Sequence, residues 1–478
     1  MFSPGTGCQV PAVWFVPLTA PGGSCIVFFT DMSFDNKIYR PVLLEGVLDS
    51  LSSNVPVALV GMRGVGKTHL AREVAARFQG RHGRTSVFWM DLEDPRLLPG
   101  PTRETASVFL RSMRRDPSLV VLDEVAHLEG WQQWCRETCE KTKAPVLVTL
   151  SANTRLVGGQ LEFAGVRVFR LFPLALREQL EIINDISVDT DAARRWLNRG
   201  GLPAVAYSPD HNRSCFDLLY DILFRDIALA REIRDVAKLI DMSIYLVESS
   251  GSPVSLTAMR KHGMGSIDKT RSFLAAIEHT GLISMVDRVE DLGRDRHQAG
   301  RLVFSGDLGM VAALSRGPIS TRRLGLTAVF GELERLGTEV AAWKHGGTTG
   351  LCQVDGGRVD LLVDVAREGS GKISWRSLST AARNYGAERV LVLGQDEHEW
   401  DMNAPGCRIM VRNLWNWLSA PTLDPHPAGL AAAGTKKARP GGGDSAPGRK
   451  KGTSVPGVVA EEEREDSGEE GGLPPYLL

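Results

Sequence analysis

From Arg40 onward, short continuous apolar runs alternate with stretches of helical period. The runs are "VPVALV" (55–60), "SVFWMDL" (86–92), "LVVLDEV" (119–125), "PVLVTLSA" (145–152) and "VRVFRLF" (166–172). They lack the in-out alternation of a half-solvated sheet, so they predict strands buried on both faces. Helical patterns at 67–78, 102–114 and 130–141 lie between them. Strand and helix in strict alternation predict an α/β fold, a parallel doubly wound sheet over 32–173.

After Pro173 the pattern changes. Residues 174–235 read as helical, interrupted by "GGLPAV" (200–205), which predicts a connector or lid. "VAKLIDMSIYLVESS", "SLTAMRKHGM" and "IDKTRSFLAAIEHTGLI" predict three helices, and 282–304 a two-stranded hairpin, so 236–305 reads as a winged helix. Residues 320–418 combine a helix at 325–336 with strands at "RVDLLVDV" and "RVLVLG", a small α/β unit. Beyond Ser419 come a basic block, Gly and Pro spacers and an acidic block, so 420–478 is expected to be disordered. The Pro- and Gly-rich opening, 1–31, precedes a second methionine, Met32, and is expected to be a flexible leader or an over-long start.

Composition adds exclusions. A formal net charge of -1 over 478 residues gives no global pull toward nucleic acid or acidic membranes. No apolar run approaches the ~18 residues of a membrane span, and the N-terminus lacks the basic region of a signal peptide. Seven cysteines without a paired framework suit a reducing compartment, so a cytoplasmic location is expected. Cys135 and Cys139, one helical turn apart with no second pair at metal spacing, are expected on a packed helix face.

The candidate chemistry lies at the ends of the first and third strands. "GMRGVGKT" (61–68) has the spacing G-x-x-x-x-G-K-T and stands between a strand and a helix. Backbone N–H groups of such a turn, with the helix N-terminus, cradle phosphate oxygens. Lys67 is placed to reach the terminal phosphates, and the Thr68 hydroxyl to complete a Mg²⁺ shell. The nucleotide-binding candidates are Gly61, Arg63, Gly64, Val65, Gly66, Lys67, Thr68 and His69. The third strand ends in Asp123 and Glu124, where a metal-supporting carboxylate and a water-activating one are needed. Two adjacent acids favour ATP hydrolysis, and no Asn-Lys-x-Asp guanine-reading motif follows the loop. The next strand ends in polar residues, so Thr149, Ser151 or Asn153 is a candidate to hold the attacking water or the γ-phosphate. Arg155 and Arg167 are alternative arginine fingers for a neighbouring copy.

These residues carry a family likeness. From about Arg40 to Leu418 the chain resembles the prokaryotic AAA-type P-loop ATPases that bear a winged-helix segment and a C-terminal domain with a restriction-endonuclease-like core. The likeness rests on "GMRGVGKT", "VVLDEVAHLEGWQQW" and "LVTLSA", with "FRLFPLALREQL", "GGLPAV", "LLYDILFRDI" and "RVDLLVD" in support. It implies a sensor strand ending Thr-Gly-Ser, where this chain has Leu150 for Gly, and a following Gly-Arg, where it has Gly165-Val166-Arg167. For the C-terminal domain it implies Asp on one strand and Glu-x-Lys on the next. Asp360 is kept, but the following strand, "KISWRSL", offers Ser374-Trp375-Arg376. A hydroxyl cannot replace the anionic metal ligand, so nuclease activity is not expected.

The expected reaction is therefore Mg²⁺-dependent ATP hydrolysis, with Lys67, Glu124, Thr149, Ser151 and Arg167 as catalytic candidates and Thr68 and Asp123 as metal ligands. Hydrolysis would move the winged-helix and C-terminal domains against a protein partner, with homo-oligomerisation left open. The alternative is a DNA-binding protein with ATP as a conformational ligand. Arg260, Lys261, His262, Lys269 and Arg271 favour contact through 260–271, and Asp268 and Glu278 oppose it.

Overall fold

The computed structural model describes residues 18–20, 23–25 and 40–423, excluding 54, 83–86, 95–96, 98–99, 114–115, 183–189, 230–232, 234, 261–265, 293–299, 368–373 and 396–397. Most of the expected leader and of the expected disordered tail thus lies outside the described residues. Within the leader, β1 (Leu18–Ala20) and β2 (Gly23–Cys25) form an antiparallel hairpin.

The first domain begins with α1 (Pro41–Leu51), whose Pro41 occupies the first helical turn, where a missing N–H costs nothing. There follow β3 (Val57–Gly61), α2 (Lys67–His82), β4 (Val87–Asp91), α3 (Arg103–Arg111), β5 (Leu119–Asp123), α4 (Trp131–Thr142), β6 (Val146–Ser151), α5 (Thr154–Phe163) and β7 (Arg167–Arg170). All five strands are parallel, in the order β4-β5-β6-β3-β7. β3, β5 and β6 are buried along their whole length, as continuous apolar runs require. The order sets β6 between β3 and β5, so the three polar strand ends converge on one edge, where open α/β sheets bind ligands. Cys135 and Cys139 are buried on α4, and burial pushes both thiols up, Cys139 to about 11.

A helical module follows: α6 (Leu176–Ile182), α7 (Thr190–Arg199), α8 (Pro203–Ala206) and α9 (His211–Asp221). α9 widens into a π-helical turn, Ile222–Ala228, in which Leu229 N donates to Phe224 O at 3.0 Å. Next come α10 (Val236–Glu248), β8 (Ser252–Val254), α11 (Leu256–Met259), α12 (Ile267–His279), β9 (Ile283–Val286) and β10 (Arg301–Ser305), the strands pairing antiparallel as β8-β10-β9. α13 (Leu308–Leu314) then returns to pack on α7 and α9. Asp307 fixes that return. Its buried carboxylate accepts from Gly309 N and Met310 N at the start of α13, and from Gly201 N and Leu202 N of the "GGLPAV" segment at 2.7 and 3.1 Å. One apolar core runs from Leu44 and Leu59 of the first domain through Leu218 and Ile222 to Leu246 and Ile277.

The last unit comprises α14 (Thr321–Arg335), β11 (Glu339–His345), β12 (Thr348–Asp355), β13 (Arg358–Val365), α15 (Trp375–Tyr385), β14 (Arg389–Gly394), β15 (Trp400–Ala404), β16 (Cys407–Asn413) and α16 (Leu414–Ser419). Its sheet order is β11-β12-β13-β14-β16-β15. Two expectations are corrected here. "KISWRSL" does not supply a strand: from Trp375 it is helix α15, because Leu378, Ala381 and Ala382 recur at helical spacing on a buried face and Gly386 ends it in a left-handed C-cap. Order also continues past Ser419, since Trp417 Nε1 donates to Thr422 O at 3.0 Å and Leu423 packs on the core.

Candidate functional site

The turn between β3 and α2 takes its shape from glycine. Gly64 and Gly66 have φ of +83° and +99°, and a Cβ on Gly61 would meet Leu171 O at 2.4 Å. α2 begins at Lys67, so the N–H groups of its first turn face the loop without intrahelical acceptors. The Lys67 ammonium is buried. It donates to Gly61 O at 3.1 Å, Met62 O at 3.2 Å and Ser151 Oγ at 2.8 Å, and stands 3.6 Å from Glu124 Oε1. Burial pushes its pKa down, with Glu124 opposing.

Four polar residues from β5 and β6 complete the centre. Thr68 Oγ1 donates to Asp123 Oδ1 at 3.1 Å, and Thr149 Oγ1 donates to the same oxygen at 2.5 Å while accepting from Glu124 N at 2.9 Å. Ser151 donates to Glu124 through its hydroxyl (2.7 Å) and its amide (3.1 Å). Burial raises Asp123 to about 6, against the pull of the Thr149 hydroxyl, so the site favours a cation that would restore the charged carboxylate. Glu124 is left-handed, with φ 56° and ψ 58°. That conformation costs a non-glycine residue on the order of 1–2 kcal/mol and here turns the carboxylate back toward Lys67. Lys67, Thr68, Asp123, Glu124, Thr149 and Ser151 thus form one hydrogen-bonded group, with donors and carboxylates of the kind that hold a Mg²⁺-nucleotide.

The other sequence candidates fall elsewhere. Val65 is buried against the loop, and His69 points to Glu73 at 3.8 Å along α2. Arg63 turns to two carboxylates. Its Nε and Nη2 bond the Asp226 oxygens at 2.6–3.2 Å, and Nη1 and Nη2 bond Glu93. Asn153 caps α5 and faces α12 and β9: its Nδ2 donates to Glu278 O at 3.0 Å and Ser284 Oγ at 3.3 Å, and its N to His279 O at 2.7 Å. Arg155 lies 3.8 Å from Glu334 of α14. Arg167 opens β7 opposite Val57, at the far end of the sheet from the loop, and is not brought to its own chain's centre.

In the basic stretch 260–271, Lys269 pairs with Asp235 at 2.8 Å and Arg271 with Asp268 at 3.5 Å, while Lys261 and His262 lie outside the described residues. Asp360 pairs with Arg389, and Ser374 stands just before α15, beside a cavity of about 220 Å³ that Asp364 and Arg322 also line.

Sequence reasoning missed Glu93, His127 and Asp226. His127 Nε2 lies 3.3 Å from Glu93 Oε1, and bonds from His127 and Arg63 hold Glu93 down at about 2 against its burial. The available signal was an arginine inside a glycine turn, a half-buried cation that needs counter-charges. "GGLPAV" gains a role as well: Pro203 and Ala204 lie over Gly66 and Gly64, and Ala204 N points to Gly64 O at 3.4 Å.

Residues 53–180 match the family model of an AAA domain, and residues 190–322 match a domain of unknown function (DUF8612). The second match spans both the helical module and the β8-β10-β9 segment, the stretch that α13 closes on itself. No curated protein sequence matches. Among solved structures, the Walker-type ATPase of Pyrococcus abyssi aligns at 12% identity over 59% of this chain and 97% of its own, with a TM-score of 0.38. AMPPCP-bound DnaA from Aquifex aeolicus aligns at 15% over 50% of this chain and 86% of its own, with a TM-score of 0.27. The Pif1 helicase from Candida albicans aligns at 14% over 34% and 48%, with a TM-score of 0.22. Among the described residues, no helix is long and apolar enough to cross a membrane. Residues 53–180, the stretch similar to the AAA-domain model, hold the glycine turn, the start of α2 and the strand-end carboxylates of β5.

Proposed function

We propose that the chain binds ATP with Mg²⁺ and hydrolyses it, and that the cycle is transmitted to the modules C-terminal to the P-loop domain. The observation that carries this reading is the relay Lys67–Ser151–Glu124, in which a phosphate-binding cation and a carboxylate base share one hydroxyl. In this reading Lys67 and the Gly64–Thr68 amides hold the phosphates, and Thr68 and Asp123 hold Mg²⁺. The metal supplies neutralisation of phosphate charge. Glu124 accepts the proton of the attacking water, and Thr149 and Ser151 keep its backbone and side chain in place.

Transmission has a route on the same strand. Ser151 sits in the centre, and two residues on Asn153 holds α12 and β9 by three polar contacts. If phosphates draw Lys67 away from Ser151, the end of β6 shifts and Asn153 shifts with it. The three helices α10–α12 with the β8-β10-β9 sheet support the winged-helix reading. The pairing of Lys269 and Arg271 with acids disfavours DNA contact there. For the C-terminal domain, ion-paired Asp360 and Ser374, a hydroxyl just ahead of α15 where an acid is expected, support a role without nuclease chemistry. In this proposal the protein is soluble and cytoplasmic and acts on a protein partner. ATP turnover in wild type and Glu124→Gln tests the proposal, and equal rates would refute it.

A further inference from the structure

The phosphate loop is tied to the helical module by a charge cluster that ATP chemistry does not need. Arg63, in the loop, donates to both carboxylate oxygens of Asp226 and to both of Glu93. All three side chains are largely buried, with 14%, 10% and 15% exposure respectively. Two anions on one guanidinium would leave a negative charge out of water. That excess is met on Glu93 by His127 at 3.3 Å and Arg225 at 3.5 Å. The cluster thus joins the loop, the segment after β4, the turn after β5 and the π-helical turn Ile222–Ala228. Wide π turns recur where a helix must aim one side chain at a target, and here the aimed residue is Asp226.

The same module covers the loop. A Cβ on Gly64 would meet the Leu218 side chain at 3.1 Å and Ala204 at 3.2 Å. Those are apolar contacts that slide at little cost. The ion pair does not slide, because separating it strands a half-buried charge on each side.

We propose that the Arg63–Asp226 pair is a latch that holds the helical module closed on the phosphate loop, and that Asp226 is a positioning residue controlling nucleotide entry and release. The nucleotide part rests on the ATP reading; the latch itself does not. Asp226→Asn is the selective cut, since Arg63 keeps Glu93 and the loop keeps its counter-charge.

Amide hydrogen exchange on the full, nucleotide-free chain reads the latch, and release of a fluorescent ADP analogue reads its consequence. In Asp226→Asn, amides at 61–66 and 202–206 should exchange about tenfold faster while β14 stays at the wild-type rate. Asp226→Glu should restore most of the protection, and ADP release should accelerate about tenfold in the Asn variant alone. Unchanged exchange at both segments overturns the latch. So does acceleration that spreads equally to β14, which would mark general loosening. If wild type binds no ADP analogue, the ATP reading and the nucleotide part of the proposal fall together, and the exchange pattern still decides the latch.

Discussion

The Lys67 ammonium donates to the Ser151 hydroxyl across 2.8 Å, so the first residue of α2 and the end of β6 are joined directly. Ser151 passes that contact to Glu124 at 2.7 Å. Removing the hydroxyl while leaving the strand intact should loosen the base without emptying the loop. Ser151→Ala is expected to keep nucleotide affinity within about threefold and to slow hydrolysis about tenfold or more, by turnover and equilibrium binding measured together. A loss confined to binding would place Ser151 outside catalysis.

On the proposed function, Lys67→Ala removes the side chain that holds the phosphates. It should weaken binding of a fluorescent ATP analogue by at least about a hundredfold and abolish turnover. Because Lys67 is buried 3.6 Å from Glu124, its loss leaves that carboxylate without its counter-charge, and the melting temperature should fall. Asp123→Asn should instead act on the metal, lowering the dependence of binding on Mg²⁺.

Asp307 accepts four backbone N–H groups from two segments that are distant in sequence. Asp307→Ala leaves those donors buried and unpaired, and should cost roughly 3 kcal/mol or more by urea unfolding. A cost below about 1 kcal/mol would mean that α13 does not depend on this cap.

Burial holds Glu334 up at about 7, with Arg155 and Arg170 pulling it down and Glu278 pushing it up. The folded state keeps this proton to a higher pH than the unfolded chain does. The stability it contributes is complete below the unfolded carboxyl pKa and is lost as pH rises through about 7. Glu334→Gln should therefore gain on wild type in melting temperature between pH 5 and pH 8. A constant difference across that range would show that the carboxyl does not titrate there.

The first sheet was legible because β3, β5 and β6 are buried on both faces and read as unbroken apolar runs, whereas the edge strand β7, also expected to be buried, is partly or fully exposed along its length. Lys67, Thr68, Asp123 and Glu124 lie within one hydrogen-bonded and ion-paired group. "KISWRSL" was misread because Ile373 and Trp375 alternate as in a strand when the window stops short of the helical spacing of Leu378, Ala381 and Ala382. Asp226 was invisible for another reason. Its partner Arg63 lies 163 positions away, and nothing local marks a carboxylate that a π turn aims at a distant loop. Glu124 gave no local sign of its left-handed backbone, which follows from Thr149 and Ser151 on the neighbouring strand.

The central claim is that Glu124 is the base of an ATP hydrolysis centre, and phosphate release by Glu124→Gln beside wild type, at saturating Mg²⁺ and ATP, tests it most directly. Gln keeps the size and one acceptor for Ser151 but cannot take a proton. The account predicts ATP binding within about threefold of wild type and turnover slower by about a hundredfold or more. Turnover at the wild-type rate in Glu124→Gln would contradict it.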